Sequence, residues 1–253
     1  MISDHSERRT RMTATNSDFD QLEPISASST KQAVYDALRA AIVQQLPAGT
    51  KLPLSELASR MNVSTMPVRS ALVQLQAEGL VTNPPHRPAE VSALSTADLS
   101  DLYLIREPLE VAAGQHACPR LTDATIRKMA DVQAEMHAIV QGTAPEIGRY
   151  LALDWELHDL CYFAAQRPKL FNAIRMYRAQ AERYFRLYLS NPSEEPVVHT
   201  DLVNQDNFVE ACAARDPVAL STVLHSMFED TRHRVTQVLQ RNERATSSGA
   251  SLP

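Results

Sequence analysis

Residues 54–91, LSELASRMNVSTMPVRSALVQLQAEGLVTNPPHRPAEV, constrain this chain more than any other stretch. They set a short helix, a tight turn, a second amphipathic helix and a two-stranded wing in succession. Ser64 opens the second helix and can cap the free N–H groups of its first turn. Pro67 is tolerated there because its missing N–H has no partner within the helix to lose. Val68, Leu72, Leu75 and the later Leu80 mark a buried side, while Arg69 points elsewhere. Gly79 stops the helix, and Leu80-Val81-Thr82 reads as the first wing strand. This is the order of a winged helix-turn-helix, which presents one helix end to the major groove of DNA.

A chain of 253 residues allows one large or two modest domains, each able to bury its own core. Only six glycines, with apolar residues in periodic runs, favour helix over sheet. No apolar run approaches the roughly 20 residues that span a bilayer, and the N-terminus lacks a signal-peptide core. Cys118, Cys161 and Cys212 are separated in sequence and form no CxxC, which suits a reducing cytoplasm and small core residues.

The whole chain carries −5, yet Lys31 to Ser92 holds six basic residues against four acidic ones, a net +2. Because phosphate neutralisation sets most non-specific DNA affinity, one such unit binds weakly. Dimerisation on a two-fold site would double the contacts.

The fold class is mostly α, a winged helix followed by an antiparallel helical bundle. Residues 1–28 read as a disordered polar leader, in which Arg8, Arg9 and Arg11 could graze DNA but suit a solvated tail better. Residues 29–94 form the winged helix, 95–241 a helical effector-binding and dimerisation domain, and 242–253 a flexible tail. Thr30 can cap a helix running to Gln45, with Val34, Leu38 and Ile42 on one face. Ser95-Thr96-Ala97-Asp98 has capping-box spacing, with Asp in place of Glu, and opens a helix to His116. Further helices are expected at 122–141, 145–165, 168–189, 201–214 and 217–241, with breaks at Pro119, Gly142, Pro168, the NPSEEP loop and Asp216-Pro217. Their short connections favour a bundle.

The segments VYDALRAAI, LPAGTKL, LSELASRMNVS, PVRSALVQLQAEGLV and LSTADLSDLYLIREPLE resemble the GntR family of bacterial transcription regulators. The last, with the helical remainder, resembles the fatty-acid-regulator subfamily, whose effector domain (FCD) is all-helical. The resemblance covers residues 30–240. It implies a dimeric regulator of operator DNA whose second domain binds a small molecule, often a carboxylate. At the start of the reading helix the family usually has two arginines; here Ser64, Thr65, Met66 and Arg69 stand there, so only the second is retained. Such an arginine can contact guanine bidentately, with a surface ion pair as the alternative. Thr65 and Met66 suit a thymine methyl. Arg39 is read as a phosphate contact or a solvated residue. Arg87, in His86-Arg87-Pro88, replaces the family's Asn-Arg-Gly wing tip and suits a narrow minor groove.

Many members of the subfamily hold a divalent metal with an Asp, a His four residues on, and two later His. Asp154 and His158 supply the first half, one helical turn apart. The later positions fall on Gln205 and Met227, with His199 and His225 out of register, so the metal is expected to be weakened or absent. The alternative is a polar intrahelical pair. Arg106 matches the family's LRxxLE arginine and could grip an effector carboxylate, or pair with Glu110 four residues on. Arg183, beside Tyr184 and Arg186, is the other effector candidate; His116, His137 and His233 follow no ligand spacing.

His158-Asp159 is an HD dipeptide, as in helical metal-dependent hydrolases, but an earlier His and a later Asp in register are missing. There is no GxGxxG, P-loop or nucleophile elbow. A helical interaction domain without DNA is a third possibility. The reading that absorbs most residues is a dimeric, cytoplasmic, effector-responsive regulator, a repressor and not an enzyme, in which ligand tilts the helix beginning at Thr96.

Overall fold

The protein's structure, a computed structural model, describes residues 28–142, 146–189 and 197–247. The leader lies outside these residues, with Arg8, Arg9 and Arg11, as does the end of the tail. The head begins with α1 (Ser28–Gln44) and β1 (Lys51–Leu52), continues through α2 (Leu54–Arg60) and α3 (Thr65–Ala77), and ends with β2 (Val81–Thr82) and β3 (Ala89–Val91). Val34, Leu38 and Ile42 of α1 pack on Val68, Ala71 and Leu75 of α3. The turn from α2 to α3 passes through Asn62 at φ +52, a left-handed position that its short polar side chain tolerates.

Three expectations change here. The wing sheet has three strands, in the order β1-β3-β2, because Leu52 pairs with Ala89 across β3 while Val81 pairs with Val91. Ser64 sits at the N-cap of α3 in extended conformation, but its side chain makes no capping hydrogen bond. Leu80 precedes the strand, because Gly79 (φ +71) and Leu80 close α3. Their N–H groups donate to the carbonyls of Gln76 and Leu75, and only a residue free to adopt positive φ fits that position.

The second part holds α4 (Thr96–Ala117), a 3-10 turn (Cys118–Arg120), α5 (Asp123–Gln141), α6 (Ile147–Ala164), α7 (Pro168–Leu189), α8 (Val197–Ala214) and α9 (Pro217–Ser247). α8 starts at 197, before the expected 201, and α9 continues past 241. α4 packs against α9, α7 and α6, so it runs through the bundle and not along its rim. The close approach of α4 to α9 depends on Gly114, where a Cβ would sit 3.0 Å from a Leu224 methyl.

Side-chain caps stand at the starts of α4, α5 and α9. Ser95 Oγ accepts from Asp98 N–H at 3.1 Å, and Thr122 Oγ1 from Thr125 N–H at 3.1 Å. Asp216 Oδ1 accepts from Val218 and Ala219 N–H, ahead of Pro217 in the first turn of α9. The reciprocal half of the capping box at Ser95 is filled from elsewhere. Ser95 N–H donates to the Tyr184 hydroxyl, which in turn donates to Asp98 at 2.6 Å. An Asp is one methylene too short for the Glu role, and a phenol from α7 spans the gap.

Candidate functional site

The first surface is the exposed start of α3. Ser64, Thr65 and Arg69 are exposed, and Met66 is 70% exposed, while Val68 of the same turn is fully buried. A methionine so open to water leaves most of its side chain available to an apolar partner. Arg69 makes no ion pair among the described residues, so its guanidinium is not committed. Arg87 is exposed at the wing tip, on a turn closed by its N–H donating to Pro84 O at 3.3 Å, with His86 at φ +60. Arg39 lies elsewhere. Its Nη2 is 2.9 Å from Glu182 Oε2 on α7, and the pair is largely shielded from water.

The second site is a cavity between α4, α6, α7, α8 and α9, about 50 Å³ as traced by the centre of a water-sized sphere. That volume admits a few waters or a ligand of few atoms. A closed ring of six hydrogen-bonded or ion-paired side chains borders it, five of which line the cavity. Arg178 Nη2 donates to Asp154 Oδ2 at 2.8 Å, and Nη1 lies 3.5 Å from Glu110 Oε2. The Tyr162 hydroxyl donates to Glu110 at 2.9 Å and lies 3.1 Å from His158 Nδ1. His158 Nε2 is 3.1 Å from Gln205 Oε1, and Gln205 Nε2 donates to Asp154 Oδ1 at 3.0 Å.

The electrostatics follow from burial. His158 is held well below its ordinary pKa, first by burial and then by the charges of Arg178 and Arg106. Burial raises Asp154, with the two arginines opposing it. Burial also pulls on Arg178, but Asp154 and Glu110 more than offset it, so this guanidinium stays charged. Asp201 accepts from Tyr150 at 2.7 Å and is pushed up to about 7 by burial and by Asp154.

Arg106 and Arg178 are the two arginines that line the cavity. The Arg106 Nε donates to Glu110 Oε1 at 2.9 Å, and its guanidinium lies 5.4 and 5.1 Å from the ring centres of Tyr103 and Phe228. The buried Tyr103 hydroxyl makes no well-aligned hydrogen bond, but the Arg106 guanidinium is close enough to act on it. Arg106 is thus paired with Glu110, and its guanidinium also meets Tyr103 at the cavity wall.

Arg183 is not brought to the cavity. Its Nη1 donates to Ser92 O at 2.7 Å, in the link between head and bundle. The arginine of α7 that does line the cavity is Arg178, which sequence reasoning missed along with Asp201 of the lining and with Tyr162 and Tyr150, which are hydrogen-bonded to that lining. A signal was available. Ile174, Arg178 and Ala181 share the i, i+4, i+7 stripe of α7, so a charge stood at a core position. Asp201, Gln205 and Phe208 repeat the pattern on α8.

The donor set does not fit the family's divalent metal. The candidate ligands Asp154 Oδ1 and His158 Nε2 lie 3.5 Å apart, but the Gln205 carboxamide bonds both and closes the space between them. Met227 lines the cavity with a thioether, a poor partner for a carboxylate–imidazole site. Among the described residues no group of three His, Cys, Asp or Glu side chains could hold an ion. The side chain of His199 lies outside them, and His225 pairs instead with Glu107 at 2.6 Å.

A winged helix with an exposed reading end, joined to a helical bundle around a polar cavity, defines a DNA-binding regulator with a separate helical domain. Residues 30–91 match the bacterial regulatory proteins of the gntR family, and residues 101–248 match the FCD domain. The chain therefore belongs to the FCD-domain branch of the GntR transcription regulators. It is 29% identical over 196 residues to the Nta operon transcriptional regulator of Aminobacter aminovorans, covering 77% of this chain and 92% of the relative. It is 25% identical to the HTH-type transcriptional repressor RspR of Escherichia coli, covering 88% and 95%. In fold it resembles E. coli McbR/YncC, with a TM-score of 0.71 at 18% identity over 82% of this chain and 97% of that one. Among the described residues no helix is long and apolar enough to cross a membrane.

Proposed function

We propose that this regulator acts as a homodimer whose operator affinity is set by a small organic acid bound in the bundle cavity. The observation that carries the reading is the Arg106 guanidinium and the Tyr103 hydroxyl side by side on the cavity wall, the hydroxyl without a well-aligned hydrogen bond. A buried hydroxyl without a well-aligned hydrogen bond costs about 1–3 kcal/mol, and a carboxylate satisfies hydroxyl and guanidinium together.

Thr65, Met66 and Arg69 read bases, with Ser64 positioned for a phosphate oxygen and Arg87 for the minor groove. Loss of one of the family's arginines at Thr65 shifts weight away from guanine at that step. Repression is the favoured direction, supported by the relative named as a repressor. Ligand binding would shift α4 and so change the separation of the two reading helices, because a two-fold site tolerates only one spacing.

The test is a thermal-shift series with acetate, lactate, succinate and citrate on purified protein and on Arg106→Lys, which keeps the charge and loses the fork. Stabilisation of the parent that the variant lacks supports the assignment, by the mass-action rise in stability of a ligand-bound fold. Equal stabilisation of both removes Arg106 from the site.

A further inference from the structure

Glu182 links the cavity to the head. Leu151, Trp155 and Glu182 line the cavity, and the same three residues line a second cleft, between bundle and head, with Tyr35, Arg39 and Arg186. Glu182 therefore stands at the cavity mouth and at the domain junction together. From there it holds Arg39 of α1 at 2.9 Å, with the pair 24% and 14% exposed. Its neighbours on α7 reinforce the junction: Arg183 holds the Ser92 carbonyl and Tyr184 holds Ser95 and Asp98. One turn earlier, Arg178 belongs to the polar ring. α7 thus presents cavity, mouth and head contacts in consecutive turns.

We infer that Glu182 couples cavity occupancy to the head: an acid filling the cavity mouth competes with Glu182 for Arg39, and the head is released from α7. The inference rests on the acid-binding cavity proposed above. It moves Arg39 from a phosphate contact to a latch, and adds α7 to α4 as a route between the sites. The chemistry is charge competition. A second carboxylate brought to the mouth repels Glu182 and attracts the guanidinium of Arg39, so a diacid should act where a monoacid of similar length only fills space.

The experiment uses the full chain and two readouts. Fluorescence of Trp155, the chain's one tryptophan, reports the cavity mouth. Hydrogen exchange of residues 30–44 and 92–95, followed by mass spectrometry, reports the head contact. Arg39→Glu and Glu182→Arg should each speed exchange in both segments about two- to fivefold, the range for one part-buried ion pair, and the double swap should restore it. Succinate should change Trp155 fluorescence and speed exchange in the parent, with no further increase in Glu182→Gln; butyrate should change fluorescence alone. If succinate alters fluorescence while exchange stays fixed, the coupling is overturned and the cavity reading survives. If succinate changes neither, the acid reading fails, and the charge swap alone decides the latch. Unchanged exchange in both single variants, or no recovery in the double, overturns the latch whatever succinate does.

Discussion

Arg69 stands clear of the head's own ion pairs, and its contribution to folding is correspondingly small. Arg69→Ala should weaken binding to duplex from the gene's own promoter about ten- to hundredfold, the loss of one bidentate base contact, while circular dichroism and thermal stability hold. Unaltered affinity in an anisotropy titration would move the reading surface elsewhere. Asp201 gives a pH-dependent test. An unfolded aspartate ionises near pH 3.9, whereas here the group is pushed up to about 7, so the folded state holds the proton more tightly. Stability is therefore lost as pH rises through that window, and the loss is complete above it. Asp201→Asn keeps an acceptor for Tyr150 and removes the ionisation, so its gain in Tm should grow from about pH 5 to about pH 8. A gain equal at both pH values would show that burial of this carboxyl is not costly. Gln205 tests the metal argument. Gln205→His replaces the carboxamide between Asp154 and His158 with a third strong ligand, so zinc should raise the Tm of the variant and leave the parent unmoved.

At the scale of elements, the bundle turns on how closely α4 approaches α9. A Cβ on Gly114 would meet methyl carbons of Leu224 and Leu220 at 3.0 and 3.1 Å. Gly114→Val should cost about 1–3 kcal/mol by overpacking, and Tm should fall about 2–4 °C for each kcal/mol. Gly148 on α6 is exposed with nothing within 4 Å of its Cβ position, so Gly148→Ala should be neutral or stabilising. If both variants melt alike, the α4–α9 approach is not limiting. The element pattern was legible because its punctuation is local: Thr122, Asp216-Pro217 and Gly79 act within one turn of chain. β1 was not legible, because two residues carry no period and become a strand only by pairing with β3.

For the whole molecule, the proposed dimer would let heads of only +2, in a chain of −5, gain affinity by acting in pairs. Affinity for a two-fold site should fall steeply with salt, with a log–log slope near 0.9 for each phosphate neutralised, and about twice that of an isolated half-site. Sedimentation of the free protein as a dimer at the concentrations used would accompany that slope. A monomer with the same slope on both duplexes would refute the two-fold mode.

What the amino-acid order determined alone were the features written in short-range chemistry. The winged helix, the helix starts and the face of α3 left open to DNA follow from caps, glycines and apolar spacing within a few residues. Only the tertiary structure decided which charges meet. Arg178 on α7 and Asp154 on α6 are 24 residues apart in sequence and 2.8 Å apart in space, while Arg39 and Glu182 join across 143 residues. Apolar spacing marks Arg178 as a core position of α7, but no local rule says which carboxylates it meets, or sends Arg183 to the linker in place of the cavity. Such choices depend on the angles at which the helices pack, and those are set by side chains throughout the core.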